Sequence, residues 1–162
     1  MDIYKLNWTV LETRIFSLLS LRAGEKLSQR DMAKILKVSP TAVANSLKKL
    51  KDSKLVTVEK TKTINFVSFN RDEPKAIELK RVENLKNIYI SGLSEYLEKE
   101  LAGGTIILFG SYARGEDITT SDIDIAVIGR KEKMLTLEPY GKTLRRDINL
   151  HFYYAWADIH KH

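Results

Sequence analysis

The sequence predicts a two-domain chain of mixed α/β (α+β) class. A basic helical module closed by a hairpin covers residues 1–70, a long linking helix 71–101, and a small mixed sheet with helices 102–162. Three observations carry this division. Positive charge collects in the first part: residues 1–70 hold 13 Lys+Arg and 6 Asp+Glu, net +7, whereas residues 71–162 hold 14 and 15, net −1. The same first part shows capped runs of helical spacing, followed by strand-like alternation. Later, an apolar strand halts at Gly110-Ser111 and a second strand carries two aspartates, Asp122 and Asp124.

The hydrophobic share of 43% and charged share of 30% exclude a disordered chain. The absence of cysteine excludes a disulfide framework and a Cys-ligated zinc site, and agrees with a reducing compartment. No apolar run reaches the length of a membrane span, and MDIYKLNWTVLETR lacks the apolar core of a signal peptide. A cytoplasmic protein without a membrane partner is expected. An excess of basic charge in one half suits a polyanionic partner, although charge alone fits a solvated surface equally well.

In WTVLETRIFSLLSLR, Leu11, Ile15, Leu18 and Leu19 recur at helical spacing, and Ala23-Gly24 ends the helix. In LSQRDMAKIL, Ser28 is a cap with Asp31 three residues on, and Met32, Ile35 and Leu36 form the expected inner face. After a very short connection, Ser39 caps a further helix with Pro40 at its first position, where a missing N–H costs nothing. Val43, Leu47 and Leu50 face inward there, leaving Thr41, Ala42, Asn45, Lys48 and Lys49 off the stripe. Two short helices joined by a tight turn follow the helix-turn-helix plan. In LVTVEKTKTINFVSF, Val56 and Val58 alternate with polar residues, as do Ile64 and Phe66, around a basic tip at Lys60-Thr61-Lys62.

Three helices followed by a basic hairpin resemble the winged helix-turn-helix DNA-binding family. The resemblance implies that SPTAVANSLKKL is the recognition helix and that Lys60 and Lys62 lie on the wing. It makes double-stranded DNA the expected partner, with Thr41 and Asn45 as base-contact candidates and Lys37, Lys48, Lys49, Lys60 and Lys62 as phosphate-contact candidates. A winged helix used for protein contact is the alternative.

From Arg71 to Leu101, Pro74 suits a helix start, and Ile77, Val82, Leu85, Tyr89, Leu93, Tyr96 and Leu97 form the expected apolar face, loosened at Ser91-Gly92. Such a face could pack on either module or on a second copy, so a homodimer is an expectation.

TIILFGS reads as a strand that stops where glycine permits a tight turn and close approach to a ligand. If Ser111 opens a helical turn, its hydroxyl and free N–H groups make an anion site, to which Arg114 adds charge. On SDIDIAVIG, alternation places Asp122 and Asp124 on one face. Two carboxylates at short range require a proton or a cation between them, and Mg²⁺ is the hard ion that accompanies phosphate. A phosphate turn beside a metal-binding pair is what nucleotidyl transfer needs.

The order strand, Gly-Ser, ten residues, Asp-x-Asp resembles the polymerase beta-like nucleotidyltransferase superfamily, and GSYARGEDITTSDIDIAV is similar to its minimal nucleotidyltransferase branch. The resemblance implies that Gly110 and Ser111 hold the phosphate of a nucleoside triphosphate, with ATP the one expected as substrate or ligand, and that Asp122 and Asp124 bind metal. The family's third carboxylate would come from RRDINLHFYY, where Asn149 stands at the matching position. An amide oxygen ligates Mg²⁺ weakly and takes no proton from a hydroxyl. Asp147 lies two positions earlier on the same face, about 7 Å away along a strand. His151 shares that face, and His160 and His162 close the chain. The expected function is a DNA-binding regulator whose second domain binds, and can transfer, a nucleotide. The alternative that the resemblance implies is a minimal nucleotidyltransferase antitoxin that adenylylates a partner toxin, with the winged helix autoregulating its operon.

Overall fold

The computed structural model describes residues 7–161; the reading of the first six residues and His162 fall outside them, as does the side chain of His160. The chain divides into two compact units, Met1–Ile77 and Glu78–His162, each of which is described by itself.

In the first unit, α1 (Val10–Leu21) starts at a capping box: Glu12 N donates to Thr9 Oγ1 at 3.2 Å, and Thr9 N donates to Glu12 Oε2 at 2.7 Å. A two-residue strand, β1 (Leu27–Ser28), leads into α2 (Gln29–Leu36), whose Asp31 N donates to Ser28 Oγ at 3.0 Å. Asp31 does not close a reciprocal box; its carboxylate accepts from the Ser28 hydroxyl at 2.6 Å. Ser39 caps α3 (Pro40–Asp52) as expected, with Ala42 N donating to its Oγ at 3.1 Å. Val43, Leu47 and Leu50 are buried.

One inward position on α2 differs from expectation. Ile35 is exposed and Ala33 is buried in its place. At 100° per residue, Met32, Ala33 and Leu36 share one arc and Ile35 lies beyond its edge.

The hairpin forms as β2 (Val56–Lys60) and β3 (Asn65–Phe69), but β3 presents the opposite phase to the core. Val67 and Phe69 are buried, whereas Ile64 is exposed and Phe66 only half-buried. Register decides this: Val56 pairs with Phe69 and Val58 with Val67, so the inward residues of the two strands coincide. β1 pairs with β3 as well, which makes a three-stranded sheet of order β1-β3-β2. Phe16 ties this sheet to α1, its ring 5.9 Å from Phe69 and 4.9 Å from Trp8.

The expected linking helix breaks in two. α4 (Pro74–Ile90) ends at Ser91-Gly92, and α5 (Leu93–Glu100) restarts after Gly92, whose φ of 80° no helix accommodates. The inner face of α4 in the second unit is Lys80, Asn84 and Ile88; Val82, Leu85 and Tyr89, expected inside, are exposed. The reason is electrostatic. Asp117 is fully buried, and Lys80 Nζ, Asn84 Nδ2 (2.7 Å) and Arg146 Nη2 (2.9 Å) all donate to its carboxylate. A buried carboxylate must be paired, and these partners hold the polar stripe of α4 inside.

The second sheet has the order β4-β5-β6. β4 (Thr105–Phe109) runs antiparallel to β5 (Ile123–Ile128), and β6 (Ile148–Tyr153) lies parallel to β5. The short helix α6 (Gly110–Arg114) follows β4, α7 (Glu138–Leu144) precedes β6, and a 3₁₀ turn spans Trp156–Lys161. Ile88, Leu93, Leu97, Leu101, Ile123, Ile125 and Val127 form the core, so the helices cover one face of the sheet. Its other face carries the two aspartates.

Candidate active site and nucleic-acid interface

Strand pairing assembles the candidate site. Phe109, Asp124 and Asn149 stand abreast on β4, β5 and β6. Ala126 and His151 form the row beside them. Asn149 bridges the acids: its Nδ2 donates to Asp122 Oδ2 at 3.2 Å and to Asp124 Oδ1 at 3.5 Å. The two carboxylates thus share a face, as alternation requires. His151 Nε2 lies 3.2 Å from Asp124 Oδ1, and its ring rests edge-on against Phe109 at 5.3 Å.

Gly110 sits directly against this pair. Its φ is +76°, and a Cβ there would approach Asp124 Oδ2 to 2.8 Å. Only glycine lets the turn pass so close to the carboxylate. Ser111 follows in the first turn of α6, half-buried. Arg114 ends α6 and pairs with Glu116 at 2.8 Å on the surface, an exchangeable contact of small energy. Behind the turn, Asn84 Nδ2 donates to Tyr112 O at 2.9 Å, and burial raises the Tyr112 pKa well above the usual phenol value. The buried Asp117 cluster therefore holds the segment after β4 at Tyr112 and at Asp117, ahead of Asp122.

Asp147 is not brought to the pair. It is exposed, its carbonyl accepts from Ile123 N at 2.8 Å, and it lines a shallow cleft with Leu137, Glu138, Gly141 and Lys142. Among the described residues the Asp147 side chain bonds to neither acid, and the register that pairs Asp124 with Asn149 sets the amide beside Asp124.

Among the described residues, no three Asp, Glu or His side chains form a ready-made metal cage. The donor types nevertheless fit a divalent cation: two carboxylates on one face, with an amide and an imidazole next to them. The Asn149 N–H holds the position between the acids that positive charge favours. A cation bound there would neutralise phosphate charge, while the chain's own residues fix the carboxylates and leave room at Gly110.

Residues 90–158 match the family model for a nucleotidyltransferase domain, and residues 6–63 match that of the MarR family. The chain joins a MarR-like winged helix to a nucleotidyltransferase domain. No curated protein matches it. Among solved structures, a mutant of Lactococcus lactis ZitR is similar at 20% identity and TM-score 0.44, over 62% of this chain and 64% of that one. A second ZitR mutant, in complex with DNA, is 24% identical with TM-score 0.42, over 61% and 64% of the two chains. The present chain therefore spans less than two thirds of the ZitR chains it resembles.

On the winged helix, Thr41, Asn45 and Lys48 are exposed on the side of α3 away from Val43, Leu47 and Leu50. Lys37 occupies the left-handed turn between α2 and α3, and Lys60 and Lys62 lie at the exposed wing tip. None of Lys37, Lys48, Lys60 and Lys62 pairs with a described acid. Lys49 differs: its Nζ donates to Asn7 O at 3.3 Å and lies 3.6 Å from Glu12, which turns it toward α1. Sequence reasoning missed Arg30. It is exposed at the start of α2 and lines a groove with Pro40, Thr63 and Asn65, where the recognition helix begins beside the wing. Its position two residues after the Ser28 cap, in the first turn of α2, was the available signal. Among the described residues, no helix is long and apolar enough to cross a membrane.

Proposed function

We propose that this chain is a DNA-binding regulator whose nucleotidyltransferase domain binds a metal–nucleotide complex and can transfer a nucleotidyl group. The observation that carries the reading is the convergence of Gly110, Asp122 and Asp124. A glycine turn with no side chain stands against one carboxylate, whose neighbour shares its face, which leaves room for phosphate beside a pair of acids that can hold its metal ion. In this reading Asp122 and Asp124 hold the ion, which is Mg²⁺ by resemblance, and Gly110 and Ser111 receive phosphate, with Arg114 released from Glu116 to join them. Asn149 orients the pair; it accepts no proton, and Asp147 lies elsewhere, so turnover is slow. Double-stranded DNA contacts Thr41 and Asn45 at base edges and Lys37, Lys48, Lys60, Lys62 and Arg30 at phosphates, with Lys49 serving mainly α1.

A second reading makes a protein, such as a toxin encoded nearby, the acceptor of the nucleotidyl group. It is favoured by the apolar residues that α4 exposes, Val82, Leu85, Tyr89 and Ile90. The same strip could serve a homodimer.

The test is a titration of the full chain against DNA from upstream of its own coding sequence, with and without ATP and Mg²⁺. Salt-sensitive binding that shifts with nucleotide supports the reading. Affinity indifferent to nucleotide at saturation would remove the regulatory coupling.

A further inference from the structure

Resting on the second reading, in which a protein accepts the nucleotidyl group, we infer that the open edge of β4 docks an extended segment of that protein. The segment carries apolar residues at alternate positions and a basic residue beside them. The backbone supplies the first part of the argument. β4 is an outer strand of the sheet β4-β5-β6, and among the described residues the backbone of Ile106, Ile107 and Leu108 bonds to nothing beyond β5. One row of N–H and C=O groups along this strand is therefore unpaired by protein. Such edges are ordinarily blunted by a charge, a proline or a bulge, and Thr105–Phe109 has none of these. An added strand is what completes a row of this kind.

The side chains define what the strand carries. On the helix-covered side of the sheet, Ile106 and Leu108 line a cavity of about 260 Å³ with Leu85 and Tyr89 of α4 and Leu97 of α5. Leu85 and Tyr89 are 49% and 63% exposed, apolar area that an entering side chain would remove from water. A segment laid along β4 turns every second side chain to this side, so its apolar residues enter the cavity and the others point away. Glu98 stands at the rim. Its carboxylate accepts from Ser94 Oγ at 3.2 Å and has no ion-pair partner among the described residues, so a basic residue of the segment complements it. The edge also leads to the candidate site, because its last residue, Phe109, pairs with Asp124 and precedes Gly110. A docked segment therefore runs up to the row of the acids. In the step it serves, a side-chain hydroxyl oxygen of the segment bonds to the α-phosphorus of ATP. The bond from that phosphorus to the bridging oxygen breaks, pyrophosphate leaves, and the hydroxyl proton passes to solvent.

The experiment selects a phage-displayed library of random peptides on the full chain, without nucleotide or metal. Enriched peptides are then titrated by fluorescence anisotropy into the wild type, Leu85→Glu and Glu98→Lys. Each peptide is also made with N-methyl groups on alternate amides, in both phases. The expected peptides alternate apolar and other residues beside a basic one, and lose about tenfold in affinity for each variant. Methylation in one phase should abolish binding and in the other spare it, since only alternate amides face the edge. Peptides of helical spacing, equal binding by both methylated phases, or no enrichment overturns the inference. So does an edge already closed by a second copy, seen as a dimer whose amide-exchange protection at residues 105–109 falls on dilution. The methylated peptides are compared on unsubstituted protein, so an unstable variant does not remove the test. Peptides that bind as expected and carry a hydroxyl, yet take no label from ATP with Mg²⁺, leave the docking site standing and remove the protein-acceptor reading. Selection is done without nucleotide, so its failure leaves the metal–nucleotide reading untouched.

Discussion

A Cβ on Gly110 would stand 2.8 Å from Asp124 Oδ2, so any side chain at that position forces the acid on β5 to shift. The relationship joins two parts of the motif that are fourteen residues apart in sequence. It makes the turn a boundary of the carboxylate site and not merely a strand terminator.

Gly110→Ala should therefore damage the site more than the fold. The positive φ costs about 1 kcal/mol for alanine, and Asp124 must shift as well. We expect metal–nucleotide affinity to fall at least about tenfold while circular dichroism shows the native helix content. Unchanged affinity would show that Asp124 moves freely and that the turn is no part of the site.

The buried cluster yields a stability prediction. Lys80 and Asp117 are both fully buried, and removing one member strands a charge. Lys80→Met should destabilise the second unit by about 3–5 kcal/mol, less to the extent that Arg146 still serves Asp117. Urea unfolding measures this, and a change under about 1 kcal/mol would contradict the assigned network.

This cluster also shows what was legible in the sequence and what was not. The caps at Ser28 and Ser39 and the shared face of Asp122 and Asp124 depend on neighbours within a few residues, and they could be read directly. The inner face of α4 could not. Lys80 and Asn84 are buried by a partner more than thirty residues away, so local periodicity pointed to Val82, Leu85 and Tyr89 instead. The phase of β3 was hidden for a related reason: Phe66, Val67 and Phe69 place apolar groups on both faces, and pairing with Val56 chooses between them. At the site, Asn149 was visible as the third position, but its bridge to both acids depends on strand register.

Tyr112 predicts an alkaline limit. Burial, helped by the Asp117 charge, raises its pKa above the unfolded value. The unfolded chain then loses its proton first, so stability is complete below about pH 10 and declines as pH rises from there. Tyr112→Phe should flatten that decline in melting curves taken above this pH. An equal decline in both proteins would place its origin in another group.

For DNA, each lysine that contacts phosphate should lower the salt slope of binding by about one when replaced by alanine. We expect this of Lys48, Lys60 and Lys62, and a smaller effect for Lys49, which serves Glu12. Asn45→Ala should instead relax base preference by about tenfold at one position. Fluorescence anisotropy at several salt concentrations separates the two behaviours; identical slopes throughout would exclude the wing from the interface.

The central claim is that Asp122 and Asp124 form a working metal–nucleotide site. Its most direct test is calorimetric titration of ATP with Mg²⁺ into the full chain and into an Asp122→Asn, Asp124→Asn variant. Saturable binding by the wild type, weakened at least about tenfold in the variant, is the predicted result. Binding absent from the wild type, or undiminished in the variant, would contradict the account.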